Sequence, residues 1–323
     1  MKKFSSRIGI SLLLIICVFA TPAAAATTLI PGGQVVGLQL LGGAVTVADF
    51  DESLGSAAKS AGLQKGDRIL QVDSTPIRSA EDVRNALKES DGQVDIRVLR
   101  GEKTKTLTLR PNPTEQGPRL GVYLRQGMSG LGTVTYYDPD TGNFAALGHG
   151  VNDPDGKLTD VQTGSVYDAH VFSVKKGKIG TPGQLLGTLT DTQSLGTVEK
   201  NTNQGVFGKL DSAQADTPLP VAKPDEVKTG SATIRSTVNG TNLQEYSVEI
   251  LKIYPNTDLR TRNMLIKVTD PALLSTTGGI VQGMSGSPII QDGKLVGAVT
   301  HVLINDPTTG YGIFIENMLN AAA

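Results

Sequence analysis

From Arg119 to Ala323 the chain is a succession of short alternating segments broken by turn residues, with no helical periodicity longer than about ten residues. Leu120-Gly121-Val122-Tyr123-Leu124, Gly132-Thr133-Val134-Thr135-Tyr136-Tyr137, and Ser173-Val174 ahead of Lys175-Lys176-Gly177 set the pattern. Ser247 to Ile253 and Met264 to Val268 alternate as half-buried strands do. Asp138-Pro139-Asp140-Thr141-Gly142 carries the residues a hairpin turn demands. Strands this short and this closely spaced bury their apolar faces by closing into a barrel pair or a sandwich. Composition agrees, with 38 glycines, 4% aromatics and no tryptophan. The formal net charge of −1 gives no electrostatic reason to expect nucleic acid as a partner.

The first 26 residues read as an export signal. Lys2, Lys3 and Arg7 precede an apolar run from Ile8 to Ala20, and Pro22 with Ala23 to Ala26 offers an A-x-A cleavage site. The run is short of the roughly 20 residues that span a bilayer, but the alanines extend it, so removal and retention as a membrane tether both stay open. Cys17 is the only cysteine and lies within this segment, which leaves disulfides and thiolate zinc sites out of the exported chain. Three scattered histidines also speak against a zinc enzyme, and no metal or cofactor is expected.

Residues 27–110 read as one α+β module. Val35 to Leu40 and Ala44 to Ala48 are candidate strands, and Ser56 to Ala61 is a short helix closed by Gly62. Ser79 and Asp82 form a capping box for a second helix with Ala80, Val83 and Leu87 as its apolar stripe. Val94 to Leu99 and Lys105 to Leu109 make a hairpin around Arg100-Gly101-Glu102. Ser56-Ala57-Ala58, Ala61-Gly62-Leu63 and Gly66-Asp67-Arg68-Ile69-Leu70-Gln71-Val72 resemble a PDZ domain of the bacterial protease type. The resemblance implies that Val36, Gly37 and Leu38 present backbone N–H groups to a peptide's terminal carboxylate, beside the helix from Ser79. Residues 111–118, with three prolines, read as a stiff linker to a separate domain of residues 119–323.

Gly283-Met284-Ser285-Gly286-Ser287-Pro288 frames one serine with glycines and returns at once to an apolar strand. A serine nucleophile needs such a tight loop, and the N–H groups of Gly283 and Ser285 could serve as an oxyanion hole. Gly148-His149-Gly150 supplies a candidate general base, and Asp270 a candidate carboxylate between the two. The order His, Asp, Ser is that of chymotrypsin-like proteases. Asp270-Pro271-Ala272-Leu273-Leu274 reads equally as a helix N-cap with proline at the first helical position. Thr300 and His301 follow the nucleophile on the next strand, where one of them would face a substrate side chain; His301 on the outer strand face is the alternative.

The blocks Gly132 to Pro139, Ala145 to Gly150, Lys267 to Pro271, Gly278 to Pro288, Gly297 to Val302 and Asn305 to Gly312 resemble the stage IV sporulation protein B family, the SpoIVB peptidases. That resemblance implies a mainly β chain, a PDZ-like domain followed by a chymotrypsin-like double β-barrel. It implies a serine endopeptidase with His149, Asp270 and Ser285 as its triad, acting in sporulation signalling. The expected substrates are membrane-associated proteins and the chain itself, cleaved outside the cytoplasmic membrane in the space between two membranes. The PDZ-like groove would take peptide C-termini or the chain's own N-terminal segment.

Overall fold

The computed structural model describes residues 27–153, 156–212, 216–255 and 261–323. The expected signal, residues 1–26, lies outside them. Among the described residues no helix is long and apolar enough to cross a membrane. The chain runs β1 (Thr28–Pro31), β2 (Val35–Phe50), α1 (Ser56–Ser60), β3 (Arg68–Val72), β4 (Thr75–Pro76), α2 (Ala80–Glu89), β5 (Val94–Arg100) and β6 (Lys103–Leu109). It continues through β7 (Val122–Tyr137), β8 (Asn143–Ala146), β9 (Thr163–Lys175), β10 (Gln184–Thr202), β11 (Gly205–Leu210) and β12 (Leu219–Pro220). It ends with β13 (Gly230–Thr237), β14 (Leu243–Ile253), β15 (Met264–Val268), α3 (Pro271–Thr277), β16 (Pro288–Gln291), β17 (Lys294–Leu303), β18 (Asp306–Phe314) and α4 (Ile315–Ala322).

Of the barrel pair and the sandwich that the strand pattern allows, two barrels form. In the first, β7 pairs β8, β8 pairs β11, and the ring continues through β10, β9 and β2 back to β7. The second closes in the order β13-β14-β15-β18-β17-β16. Each has its own core: Val36, Leu38, Val134, Phe144 and Val166 in the first, Ile234, Ile250, Ile266, Ile289 and Val299 in the second. Helix α4, which periodicity did not reveal, packs Ile315 and Met318 in one cluster with Tyr136, Ala145 and Phe207 of the first barrel and Leu295 and Ala298 of the second. An eight-residue helix is marginal alone, so this apolar contact is what holds it.

The PDZ module has the predicted local features. Ser79 accepts from Asp82 N at 3.0 Å, and Asp82 accepts from Ser79 N at 2.8 Å, completing the capping box. Asp67 is wholly buried and takes both its oxygens to the Arg100 guanidinium at 2.7 Å. That bidentate, charge-assisted pair compensates a buried carboxylate and staples the α1–β3 turn to the β5–β6 hairpin.

The connection between module and barrels differs from the expected one. Val35–Leu40 and Ala44–Ala48 are not two strands but one, β2. Its first half, Val36 to Leu41, pairs β9 inside the first barrel, and Val45 and Thr46 pair β3 of the PDZ sheet. Strand β7 returns antiparallel along nearly all of β2, Phe50 opposite Val122 and Val35 opposite Thr133. The PDZ module is therefore inserted into the first barrel on a two-stranded ribbon. Residues 111–118 are a turn within it, closed by the bridge between Asn112 and Arg119 and by Asn112 Nδ2 donating to Leu54 O at 2.8 Å. The linker and the 27–110 boundary thus give way to a module of roughly Val45 to Gln126. Proline correctly stopped β6, but a stop signal does not say whether the chain leaves the sheet or turns back into it.

Candidate active site

The nucleophile loop and the histidine loop meet where the barrels meet. Ser285 sits between β15 and β16 of the second barrel, and His149 follows β8 of the first. Both line a cleft of about 540 Å³, with Leu38, Leu131, Ile280 and Val302 among its apolar walls. Ser285 Oγ donates to Thr300 O on β17 at 3.0 Å. His149 Nδ1 lies 2.9 Å from Gly150 O, a geometry in which Nδ1–H donates and Nε2 keeps the lone pair needed by a general base. The residue before this histidine pair of glycines, Leu147, has φ of +71°, a left-handed conformation costly for a leucine and of the kind held at functional sites.

Thr133 of β7 binds both loops. Its N–H donates to Ser285 O at 3.1 Å, its hydroxyl to Gly283 O at 2.7 Å, and its carbonyl accepts from Leu147 N at 3.2 Å. Among the described residues no acceptor takes the N–H of Gly283 or Ser285, so both remain available to an oxyanion. Gly283 has φ of +99°, which a glycine adopts without strain. Gly286 N donates to Val299 O at 2.8 Å and Ser287 Oγ meets Ser236 Oγ at 3.1 Å, tying the loop to β17 and β13. Thr133 carried no sign of this role beyond its place in an alternating strand and in one of the blocks that carry the family resemblance.

The remaining predicted residues fall in different places. Thr300 lines the cleft and contributes its carbonyl to Ser285, while its buried hydroxyl donates to Thr261 O at 2.9 Å. His301 also lines the cleft, its ring centroid 5.3 Å from that of His149. Asp270 does not: it caps α3, accepting from Leu273 N at 2.9 Å and Ser247 N at 3.4 Å, and it is not among the cleft residues. In this geometry the orienting acceptor on His149 Nδ1 is the Gly150 carbonyl. Val36, Gly37 and Leu38 are also displaced from their expected role, being paired to β9 and β7 in the first barrel.

Electrostatics suit a neutral base. Burial pushes the His149 imidazole below its ordinary pKa, against a smaller opposing effect of Gly150 O. Burial, with His149 and Arg262 nearby, pushes His301 down to about 4. A base is active when unprotonated, so kcat/KM should rise with pH to a plateau, with an acid limb inflecting below 6.5. A pH–rate profile inflecting above 7 would contradict the buried neutral imidazole. Asp270→Ala should cost about 1 kcal/mol of stability as a lost helix cap and leave turnover within a few-fold. A loss near 10⁴ in kcat would instead show that Asp270 reaches His149 in the working enzyme.

A β-barrel pair with a serine, a histidine and two open amides at its junction, bearing an inserted PDZ module, defines the class of PDZ-containing serine proteases. Residues 116–319 match the SpoIVB peptidase S55 family and residues 52–100 match the PDZ domain family. The chain belongs to the SpoIVB peptidase S55 family. It is 32% identical over 96 residues to a putative zinc metalloprotease of Rhizobium meliloti, covering 29% of this chain and 25% of that one. It is 38% identical over 58 residues to the mitochondrial serine protease HTRA2 of Drosophila virilis, covering 18% and 14%. The chain spans about a quarter or less of the length of these curated relatives. Among solved structures, the inactive form of the Rv3671c protease aligns at 15% identity with TM-score 0.36, over 59% of this chain and 82% of that one. The active form from M. tuberculosis aligns at 16% with TM-score 0.35, over 60% and 73%. Among the described residues no three His, Cys, Asp or Glu side chains cluster to hold a metal ion.

Proposed function

We propose that this protein is an exported serine endopeptidase of sporulation signalling that hydrolyses itself and membrane-associated proteins. One observation carries the peptidase reading: Ser285 Oγ and His149 share a cleft with the unbonded N–H groups of Gly283 and Ser285. Family membership supports the sporulation role, and the basic and apolar residues of the first 26 support export.

The resting arrangement parks the nucleophile, because its hydroxyl proton is bound to Thr300 O. An extended substrate pairing with β17 would offer its own amide N–H to that carbonyl and release the hydroxyl toward His149. His149 Nε2 then takes the proton as Oγ attacks the scissile carbonyl, and the oxyanion forms against Gly283 N and Ser285 N. The imidazolium returns the proton to the leaving amine, and water hydrolyses the acyl-enzyme by the same steps.

The PDZ module would take a peptide C-terminus, but at another edge than Val36 to Leu38. Val122 to Gln126 of β7 pairs β2 on one side, and among the described residues no strand pairs its other side. Gln126 reaches α2 there, accepting from Ala80 N at 3.1 Å. An incoming strand between this edge and α2 would extend directly into the strand that carries Thr133 to the nucleophile loop.

The test is a fluorophosphonate label on residues 27–323, read by mass before and after incubation. Label on Ser285, and fragments that Ser285→Ala does not produce, are expected. An unlabelled serine with an intact chain would overturn the peptidase reading.

A further inference from the structure

We propose that Arg262, His301 and Tyr311 form a subsite for an acidic side chain of the substrate, on the N-terminal side of the bond to be cut. The inference deepens the peptidase reading above and rests on it. Strand β16 pairs β17 only as far as Ala298, so beyond Thr300 one edge of β17 has no strand partner among the described residues. Ser285 Oγ on Thr300 O sets the reacting residue of the substrate beside Thr300. A peptide added antiparallel to β17 then carries its preceding two to four residues past His301 to Ile304.

A second cavity, of about 530 Å³, opens at that point and shares His301 with the catalytic cleft. His301 lies directly across from Tyr311 in the β17–β18 ladder, and the exposed Arg262 guanidinium stands over the Tyr311 ring at 5.3 Å. Stacking on an aromatic face holds a guanidinium while leaving its donor edge usable. Among the described residues Arg262 has no carboxylate partner, so its donor edge is uncommitted. The one carboxylate lining the cavity, Asp306, already accepts from the Thr308 and Thr309 hydroxyls at 2.6 Å through its two oxygens. His301 Nδ1 is buried with no hydrogen-bond partner, so a turn of the ring would bring it to a bound group and satisfy it. A planar fork of donors without an ion-pair partner, beside an imidazole without a hydrogen-bond partner, fits a carboxylate better than an amide or an apolar side chain. The catalytic cleft itself, walled by Leu38, Leu131, Ile280 and Val302, has no such charge at its walls.

The experiment is digestion of a proteome-derived peptide library by residues 27–323 as wild type, Arg262→Gln and Arg262→Glu, with the active fraction of each preparation counted by fluorophosphonate labelling of Ser285. Wild type should enrich Asp or Glu about tenfold within the four positions before the cut, the range of one charge-assisted pair. Arg262→Gln should abolish the enrichment, and Arg262→Glu should shift it toward Lys or Arg. A labelled, cleaving wild type without acidic enrichment, or an Arg262→Gln profile equal to wild type, overturns the subsite alone. A wild type that takes no label overturns the peptidase reading and the subsite with it.

Discussion

Ser285→Ala and His149→Ala should each lower peptide-bond hydrolysis by about 10⁶-fold, and the double variant should be no worse than either. The expectation follows from how the two groups act. Neither a serine hydroxyl without a base nor an imidazole without a nucleophile can open the acyl-enzyme route, so the losses overlap instead of adding. What survives is binding and the amides of Gly283 and Ser285, which still stabilise an oxyanion when water attacks unaided. Stability should change little in Ser285→Ala, because the one bond lost is a part-buried hydroxyl on Thr300 O. Turnover of a cleavable peptide, with circular dichroism as the control for folding, gives the answer. If His149→Ala keeps more than about a hundredth of wild-type activity, His149 is not the base.

Gly286→Ala should lower stability by about 3–5 kcal/mol and abolish activity together. A Cβ at this position would lie 2.0 Å from Thr133 O and 2.5 Å from Leu147 N, and both are backbone atoms that cannot rotate away. Gly286 also has φ of +98°, so an alanine is strained even before it collides. Overpacking and backbone strain each contribute about 1–3 kcal/mol. The same collision pushes the nucleophile loop off Thr133 and away from the histidine loop, which links the activity loss to the stability loss. Gly293→Ala is the internal control. It has φ of +73° with nothing within 4 Å of the added carbon, so it should cost about 1 kcal/mol and leave catalysis intact. Thermal melts of both variants beside wild type test this, and equal Tm values for the two would sink the packing argument.

The apolar, charge-free cleft and the subsite beside it meet along one strand, β17, whose His301 and Val302 line both. That strand serves the nucleophile through the Thr300 carbonyl, the core through Val299, and the neighbouring cavity through His301. The register shift between Val299 and His301 makes this possible, since a bulge re-aims the side chains that follow it while the main chain keeps its own edge.

Local chemistry made much of this protein legible from its residues. Alternation and glycine turns implied a barrel pair or a sandwich, the spacing of Ser79 and Asp82 implied a capping box, and the glycines around Ser285 implied a tight loop with free amides. Asp270-Pro271 carried the helix cap as plainly as it carried a triad acid, and in the folded chain the cap is what its carboxylate makes. Each of these is decided within a few residues, by backbone sterics or by a side chain reaching its own neighbours. Tertiary structure decided the rest. That β2 and β7 each run through both the PDZ sheet and the first barrel depends on pairing between residues far apart in the chain, 81 positions for Val45 with Gln126 and 98 for Val35 with Thr133. A strand's periodicity tells which face is buried but not which strand lies beside it, so Val36 to Leu38 could not be told from a peptide-binding edge. Thr133 as the clamp between two catalytic loops, and Arg262 brought beside His301, exist only once the barrels close, because contacts between distant residues leave no mark on the local pattern of either.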